Sequence, residues 1–223
     1  MSLKAELDAF RSGFMANVPP EVRDAMTRAD LALAASDITK LALKAGHRAP
    51  DFLLPDARGG QVRLRDLLAK GPVVVSFYRG GWCPYCNLEL RALATTLPEI
   101  HRFGGEIVAI SPQTPDASLS TAEKNALAFP VLSDAGSLVA KAFGIAFELP
   151  EYLRPIYRSS GHALPDKNGD NSWVLPIPAT YVIDRDGVIG LAFLDVDYRN
   201  RLEPAEILAA LEGMARWQIC AEK

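Results

Sequence analysis

Cys83 and Cys86, in the run Trp82-Cys83-Pro84-Tyr85-Cys86, are the residues whose types and spacing best support chemistry. A Cys-x-x-Cys pair serves either as a redox couple or as half of a metal site. Structural zinc takes four ligands, usually with a second pair at similar spacing. The remaining candidates, Cys220, His47, His101 and His162, are scattered along the chain. The pattern therefore points to redox chemistry, with no metal and no cofactor required. Pro84 suits a first helical turn, where its missing N–H costs nothing. A cysteine at such a start meets unpaired backbone N–H groups and the positive end of the helix dipole. These lower a thiol pKa from about 8.5 into the range of about 3.5–7.5. The same spacing lets the two sulfurs close a small disulfide ring. Arg79, just upstream, either adds positive charge to the site or is a solvated arginine at a strand end. Cys220, close to Trp217, reads as a spare thiol.

The pair has to be held where a strand turns into a helix. Residues 73–78 form a β-branched and aromatic run of strand length, and Leu90, Leu93, Leu97 and Ile100 share one helical face over residues 84–101. Residues 106–110 read as another strand, 118–126 and 137–143 as helices, and 204–211 as a closing helix. Such alternation argues for a parallel core with crossover helices. Residues 179–183 and 188–194 read as strands joined by the turn Asp184-Arg185-Asp186-Gly187, which makes the sheet mixed. Residues 3–45 form a helical extension, with Leu31, Ala35, Ile38 and Ala42 on one face that suits packing or a homodimer contact. The domain division is residues 1–45 as extension and 46–223 as redox domain. The stretch between 147 and 174 is longer than compact domains usually allow and reads as a cover or interface loop.

The whole chain narrows the setting. With 24 basic and 27 acidic residues and a net charge of −3, it shows no basic cluster to mark nucleic-acid binding. The opening residues interleave charges with apolar positions, unlike a secretory signal, and no stretch approaches the roughly 20 apolar residues of a membrane span. Three cysteines in all cannot form an extracellular disulfide framework, so the cytoplasm is the expected compartment.

Trp82-Cys83-Pro84-Tyr85-Cys86 resembles the thioredoxin active site, and Cys-Pro-Tyr-Cys is the glutaredoxin form. Ile177-Pro178-Ala179-Thr180 is similar to the cis-proline segment of thioredoxin folds. That likeness implies a cis Pro178 against the cysteines and an Ile177 backbone open to substrate. Ala49-Pro50-Asp51-Phe52-Leu53-Leu54-Pro55-Asp56 resembles the opening of the peroxiredoxins, the alkyl hydroperoxide reductase and thiol-specific antioxidant (AhpC/TSA) family. The resemblance runs from about Gly46 to Leu211 and implies a thioredoxin-like α/β fold with a mixed central sheet flanked by helices. In the peroxiredoxin register Cys86 is the attacking cysteine; in the thioredoxin register it is Cys83. Arg79 and Cys83 replace the peroxiredoxin loop's proline and threonine, Pro178 stands where an arginine is expected, and no acidic residue lies between Pro72 and Cys83.

The resemblance implies a thiol peroxidase for hydrogen peroxide or organic hydroperoxides, recycled by a thiol donor such as thioredoxin, glutaredoxin or glutathione. Cys83 and Cys86 are its catalytic residues, and Arg79, Trp82, Ile177 and Pro178 its substrate contacts. The alternatives are a thiol-disulfide oxidoreductase acting on protein or glutathione disulfides, and a non-catalytic redox sensor.

Overall fold

The computed structural model describes residues 1–221, and side chains through residue 216. Its strands are β1 (Leu53–Pro55), β2 (Gln61–Arg63), β3 (Val73–Phe77), β4 (Glu106–Ser111), β5 (Val131–Ser133), β6 (Ala146–Glu148), β7 (Val174–Pro176), β8 (Ala179–Ile183) and β9 (Ile189–Leu194). Its helices are α1 (Leu3–Asn17), α2 (Pro20–Ala34), α3 (Ile38–Leu41), α4 (Leu64–Leu68), α5 (Pro84–Arg102), α6 (Pro115–Lys124), α7 (Leu138–Ala142), α8 (Arg154–Ser159), α9 (Leu164–Asn168) and α10 (Pro204–Ala221).

Every residue of β3 is buried, which explains an apolar run without polar alternation: both faces of the strand are covered. β3 is the middle of a five-stranded sheet in the order β5-β4-β3-β8-β9. β3, β4 and β5 run parallel, β8 pairs antiparallel with β3, and β9 pairs antiparallel with β8. The mixed sheet expected from sequence is present. Val74 and Tyr78 face the layer of α5 and α10, packed with Leu90, Leu93, Ile100, Ile207 and Leu211. Val73, Val75 and Phe77 face the opposite layer, with Leu64, Leu68, Ala140 and Phe143. The sheet is thus sandwiched between helices, and the loop from β3 to α5 emerges from the C-terminal end of its central strand.

The N-terminal extension is helical, but not as the Leu31–Ala42 stripe suggested. α2 ends at Ala34, and a turn follows in which the Ser36 hydroxyl donates to the Leu33 carbonyl (2.6 Å) and accepts from the Ile38 N–H (3.4 Å). Serine competes for backbone bonds in this way and breaks helices. Ile38 and Ala42 are buried, while Leu31 is 66% exposed, so the four residues share no face. The packing stripe lies instead on α1, where Leu3 and Leu7 are buried against the α5 layer.

The stretch between 147 and 174 is a folded insertion. β6 and β7 form an antiparallel pair around it, and Leu149, Leu153, Tyr157, Leu164, Trp173 and Leu175 make a small core of their own, joined by Ala25, Met26 and Ala29 of α2. Insertion and extension close over the same end of the sheet as the β3–α5 loop.

Candidate active site

After Phe77 the chain has only a few residues in which to reverse into α5, and two glycines make this possible. Gly80 has φ +151°, where a Cβ would lie 2.3 Å from Trp82 Nε1, and a Cβ on Gly81 would lie 2.2 Å from Thr121 Oγ1. Side chains from other elements fix the loop. The Gly81 N–H donates to Gln113 Oε1 (2.7 Å), Asn87 Nδ2 donates to the Gly81 carbonyl (2.9 Å), and Asn125 Nδ2 donates to Asn87 Oδ1 (2.9 Å). Cys83 is then the N-cap of α5, Pro84 its first residue, and Cys86 lies in its first turn. Both are free thiols.

The two sulfurs meet different surroundings. Cys86 is fully buried. Arg201 Nη2 donates to its sulfur at 3.4 Å, and Arg201 Nε donates to Glu89 Oε2 at 2.6 Å. Thr180 Oγ1 donates to the other Glu89 oxygen at 3.3 Å, and Arg201 also donates to the carbonyls of Tyr198 and Asn200. Arg201 and Glu89 are themselves buried, so this is a dry, fully engaged network. Burial outweighs the attraction of Arg201 and raises Glu89 to about 7.

Cys83, 2% exposed, lines a cavity of about 460 Å³ that Cys86 does not reach. Arg79 lies beside it, buried, with its guanidinium carbon 4.2 Å from the Tyr198 ring centre and 5.0 Å from that of Trp82. Arg79 Nη2 donates to the Tyr157 hydroxyl. Trp82 stacks on His162 at 5.2 Å and meets Tyr157 edge-on at 5.7 Å. Phe10 of α1 packs edge-on against Tyr85 at 5.0 Å. Extension, β3–α5 loop and insertion together wall the cavity.

Burial pushes the Cys83 thiol up, but the Cys86 thiol, Arg79 and Arg201 outweigh it and bring Cys83 down to about 6. Cys86 moves the other way, raised first by burial and then by its negatively charged neighbour, against the pull of Arg201. The surroundings thus favour the anionic form at Cys83 and the protonated form at Cys86.

Of the substrate contacts expected from sequence, Arg79 and Trp82 lie beside Cys83. Arg79 is not a solvated strand-end residue. Ile177 and Pro178 line a second cavity, of about 220 Å³, which shares Arg79, Tyr157 and Tyr198 with the first. The Ile177–Pro178 peptide is trans, as are all described peptides, so the cis geometry carried by the thioredoxin likeness is corrected. Pro178 lies between β7, which ends at Pro176, and β8, which starts at Ala179, and trans is the form favoured by about 0.5–1 kcal/mol before proline. Pro178 occupies the position where an arginine is expected, and the arginine that meets a cysteine is Arg201, beyond β9. The loop itself carries no acidic residue, and the buried carboxylate near the pair is Glu89, on α5.

Glu89, Arg201, Tyr157 and Tyr198 escaped the sequence reading. Only Glu89 had a legible signal, an acidic residue three positions after Cys86 in an otherwise apolar stripe. The other metal candidates do not converge. His101 Nε2 is 3.6 Å from Glu106 Oε2, His47 Nδ1 accepts from the Lys44 N–H, and His162 stacks on Trp82. The Cys220 side chain lies outside the described residues.

No described helix is long and apolar enough to cross a membrane. Among known proteins, "Peroxiredoxin Bcp" of Escherichia coli is 37% identical over 103 residues, 46% of this chain but only 65% of that protein's length. "Peroxiredoxin Q, chloroplastic" of Sedum lineare is 30% identical over 159 residues, 71% of this chain and 70% of the relative. The crystal structure of "Peroxidoxin BcpB" from Mycobacterium tuberculosis superposes with a TM-score of 0.61 at 27% identity, covering 77% of this chain and 98% of that one. The AhpC/TSA family model matches residues 45–192, a span holding the β3–α5 loop, both cysteines and Glu89, and the chain belongs to that family.

Proposed function

We propose that this chain is a thiol peroxidase, reducing hydrogen peroxide or organic hydroperoxides through Cys83 and Cys86 with electrons from a thiol donor. One observation carries the reading: Arg201, held by Glu89, lies 3.4 Å from the Cys86 sulfur, while the neighbouring Cys83, with a pKa of about 6, lines the cavity. The cytoplasm is the proposed compartment, where a close cysteine pair works rather than staples.

Cys83 thiolate attacks one peroxide oxygen and the O–O bond breaks. The leaving oxygen takes the proton of the Cys86 thiol, giving an alcohol or water and a sulfenic acid on Cys83. Cys86, now a thiolate facing Arg201, attacks the Cys83 sulfur and expels hydroxide, which is protonated to water, forming the disulfide. Two thiol equivalents from the donor restore the pair. In this reading Arg201 serves the second sulfur and Arg79 the first, so the attacker is Cys83, as in the thioredoxin register.

The test runs purified protein with hydrogen peroxide and with an organic hydroperoxide, recycled by dithiothreitol, beside a protein-disulfide reduction assay. Peroxide consumption well above the thiol background is the expected result. Background with both peroxides and rapid reduction of the protein disulfide would overturn it in favour of a thiol-disulfide oxidoreductase. The burial of both cysteines argues against that outcome: Cys86 is fully covered and Cys83 is 2% exposed, at the wall of a cavity.

A further inference from the structure

Arg79 is buried, yet no carboxylate lies within ion-pair distance of it among the described residues. Asp30, which lines the adjoining cavity, is engaged by Arg199 at 2.5 Å. The other partners of Arg79 are a tyrosine hydroxyl and aromatic rings, and its Nε is buried without an acceptor. A buried guanidinium without an anion is costly. In the reduced protein the Cys83 thiolate supplies the missing charge. In the disulfide it is gone, and the next molecule to react at Cys83 is the electron donor.

The cavity in front of Cys83 has one polar wall, carrying Arg79, Trp82 and His162, and one apolar wall, built by Phe10, Phe14, Val18, Val22, Met26 and Ile156. Its volume of about 460 Å³ lies within the usual range for small-molecule sites, roughly 300–1,000 Å³. A protein dithiol cannot enter it. We propose that this cavity is the electron-donor site, and that the donor is a low-molecular-weight thiol with an apolar body and a carboxylate that seats against Arg79 in the oxidised protein.

The chemistry balances with two donor molecules. The first donor thiolate attacks Cys83 Sγ, the Cys83–Cys86 bond breaks, and Cys86 leaves as a thiolate beside Arg201. A second donor thiolate attacks the donor sulfur of the mixed disulfide, releasing Cys83 as thiolate and the donor as its own disulfide. The inference rests on the peroxidase reading only for the origin of the disulfide.

The experiment therefore leaves peroxide out. Protein oxidised with diamide to the Cys83–Cys86 disulfide is mixed with mercaptohexanoate, mercaptohexanol, glutathione or thioredoxin, at matched thiolate concentration, and the appearance of protein thiols is followed. Mercaptohexanoate and its alcohol share thiol and chain and differ in charge. The acid is expected to react at least tenfold faster than the alcohol and faster than glutathione or thioredoxin. Arg79→Gln should bring the acid-to-alcohol ratio to about one. Equal rates for acid and alcohol with the native protein, which need no variant to fold, would overturn the proposal, as would thioredoxin being the fastest. A protein inactive with peroxide but selective for the acid here would sink the peroxidase reading and leave the donor site standing.

Discussion

The two sides of this candidate active site hold the same charge in different ways. Around Cys86 a guanidinium is fully paired: Arg201 is held by Glu89 and two carbonyls, without solvent or cavity. Around Cys83 a guanidinium is held mainly by aromatic faces and one hydroxyl, at the edge of a cavity. A saturated network fixes one geometry, whereas Arg79 keeps an Nε without an acceptor. In the proposed reaction, two cysteines three residues apart on one helix start have separate tasks, Cys83 to meet what enters and Cys86 to finish the reaction.

The largest test of that division exchanges the sulfurs for oxygen one at a time. Cys83→Ser should abolish peroxide consumption. Cys86→Ser should consume one equivalent and stop, leaving a sulfenic acid on Cys83 that a dimedone probe labels. Labelling confined to Cys86 in the Cys83→Ser protein would reverse the roles and restore the peroxiredoxin register.

Arg201→Met attacks the saturated side. Removing one partner of a buried ion pair costs up to about 3–5 kcal/mol where the other charge is stranded, a cost that Glu89, already raised to about 7, lessens by taking up a proton. Denaturant unfolding should show that loss, and the double variant Arg201→Met, Glu89→Gln should recover part of it. Turnover should fall by roughly 10²–10³-fold in the single variant, the usual cost of deleting a preorganised electrostatic group. A single variant of native stability would mean that Glu89 is held neutral without its partner.

The asymmetry between the two sides was only partly legible in the sequence. Local signals placed the cysteines well. The apolar run at 73–77, Pro84 at a helix start and the stripe from Leu90 to Ile100 all agree with β3 and α5. What the sequence hid was long-range. Arg201 reaches Cys86 across a separation of 115 residues, and Tyr157 reaches Arg79 across 78, because a turn beyond β9 and an insertion fold back over the helix start. No periodicity reports such closures. The thioredoxin likeness implies a cis bond at Pro178, and the fold has a trans one. Leu31 misled for another reason: helical spacing was counted across Ser36, where the helix has already ended.

The pH profile sharpens the comparison on the Cys83 side. A pKa lowered to about 6 means that the reactive anion is present above that pH and disappears below it. The second-order rate with peroxide should therefore be flat from about pH 7 upward and fall nearly tenfold per unit once below pH 6. Arg79→Gln removes one of the charges that hold the anion, so its inflection should move up towards the ordinary thiol range and its rate at pH 6 should drop. Stopped-flow measurements on both proteins supply the profiles. An inflection that stays near 6 in the variant would assign the lowering to Cys86 and Arg201 alone.

The smallest effect concerns the elements that close the cavity. Asp30 of α2 pairs with Arg199 at 2.5 Å, and both side chains keep some solvent contact, so the pair ties the extension to the turn beyond β9. Partly exposed pairs contribute up to about 1 kcal/mol, equivalent to roughly fivefold in an opening equilibrium. Asp30→Asn should loosen the extension by that amount and let a bulky maleimide reach Cys83 up to about fivefold faster. Cys86 rests against Arg201 rather than against the cavity, so its alkylation should not change, and the ratio of the two rates, read by mass spectrometry of the labelled peptides, is the decisive quantity. If both cysteines gain reactivity in parallel, the helix start opens as one unit, and the separation of an open side from a sealed side holds only in the closed state.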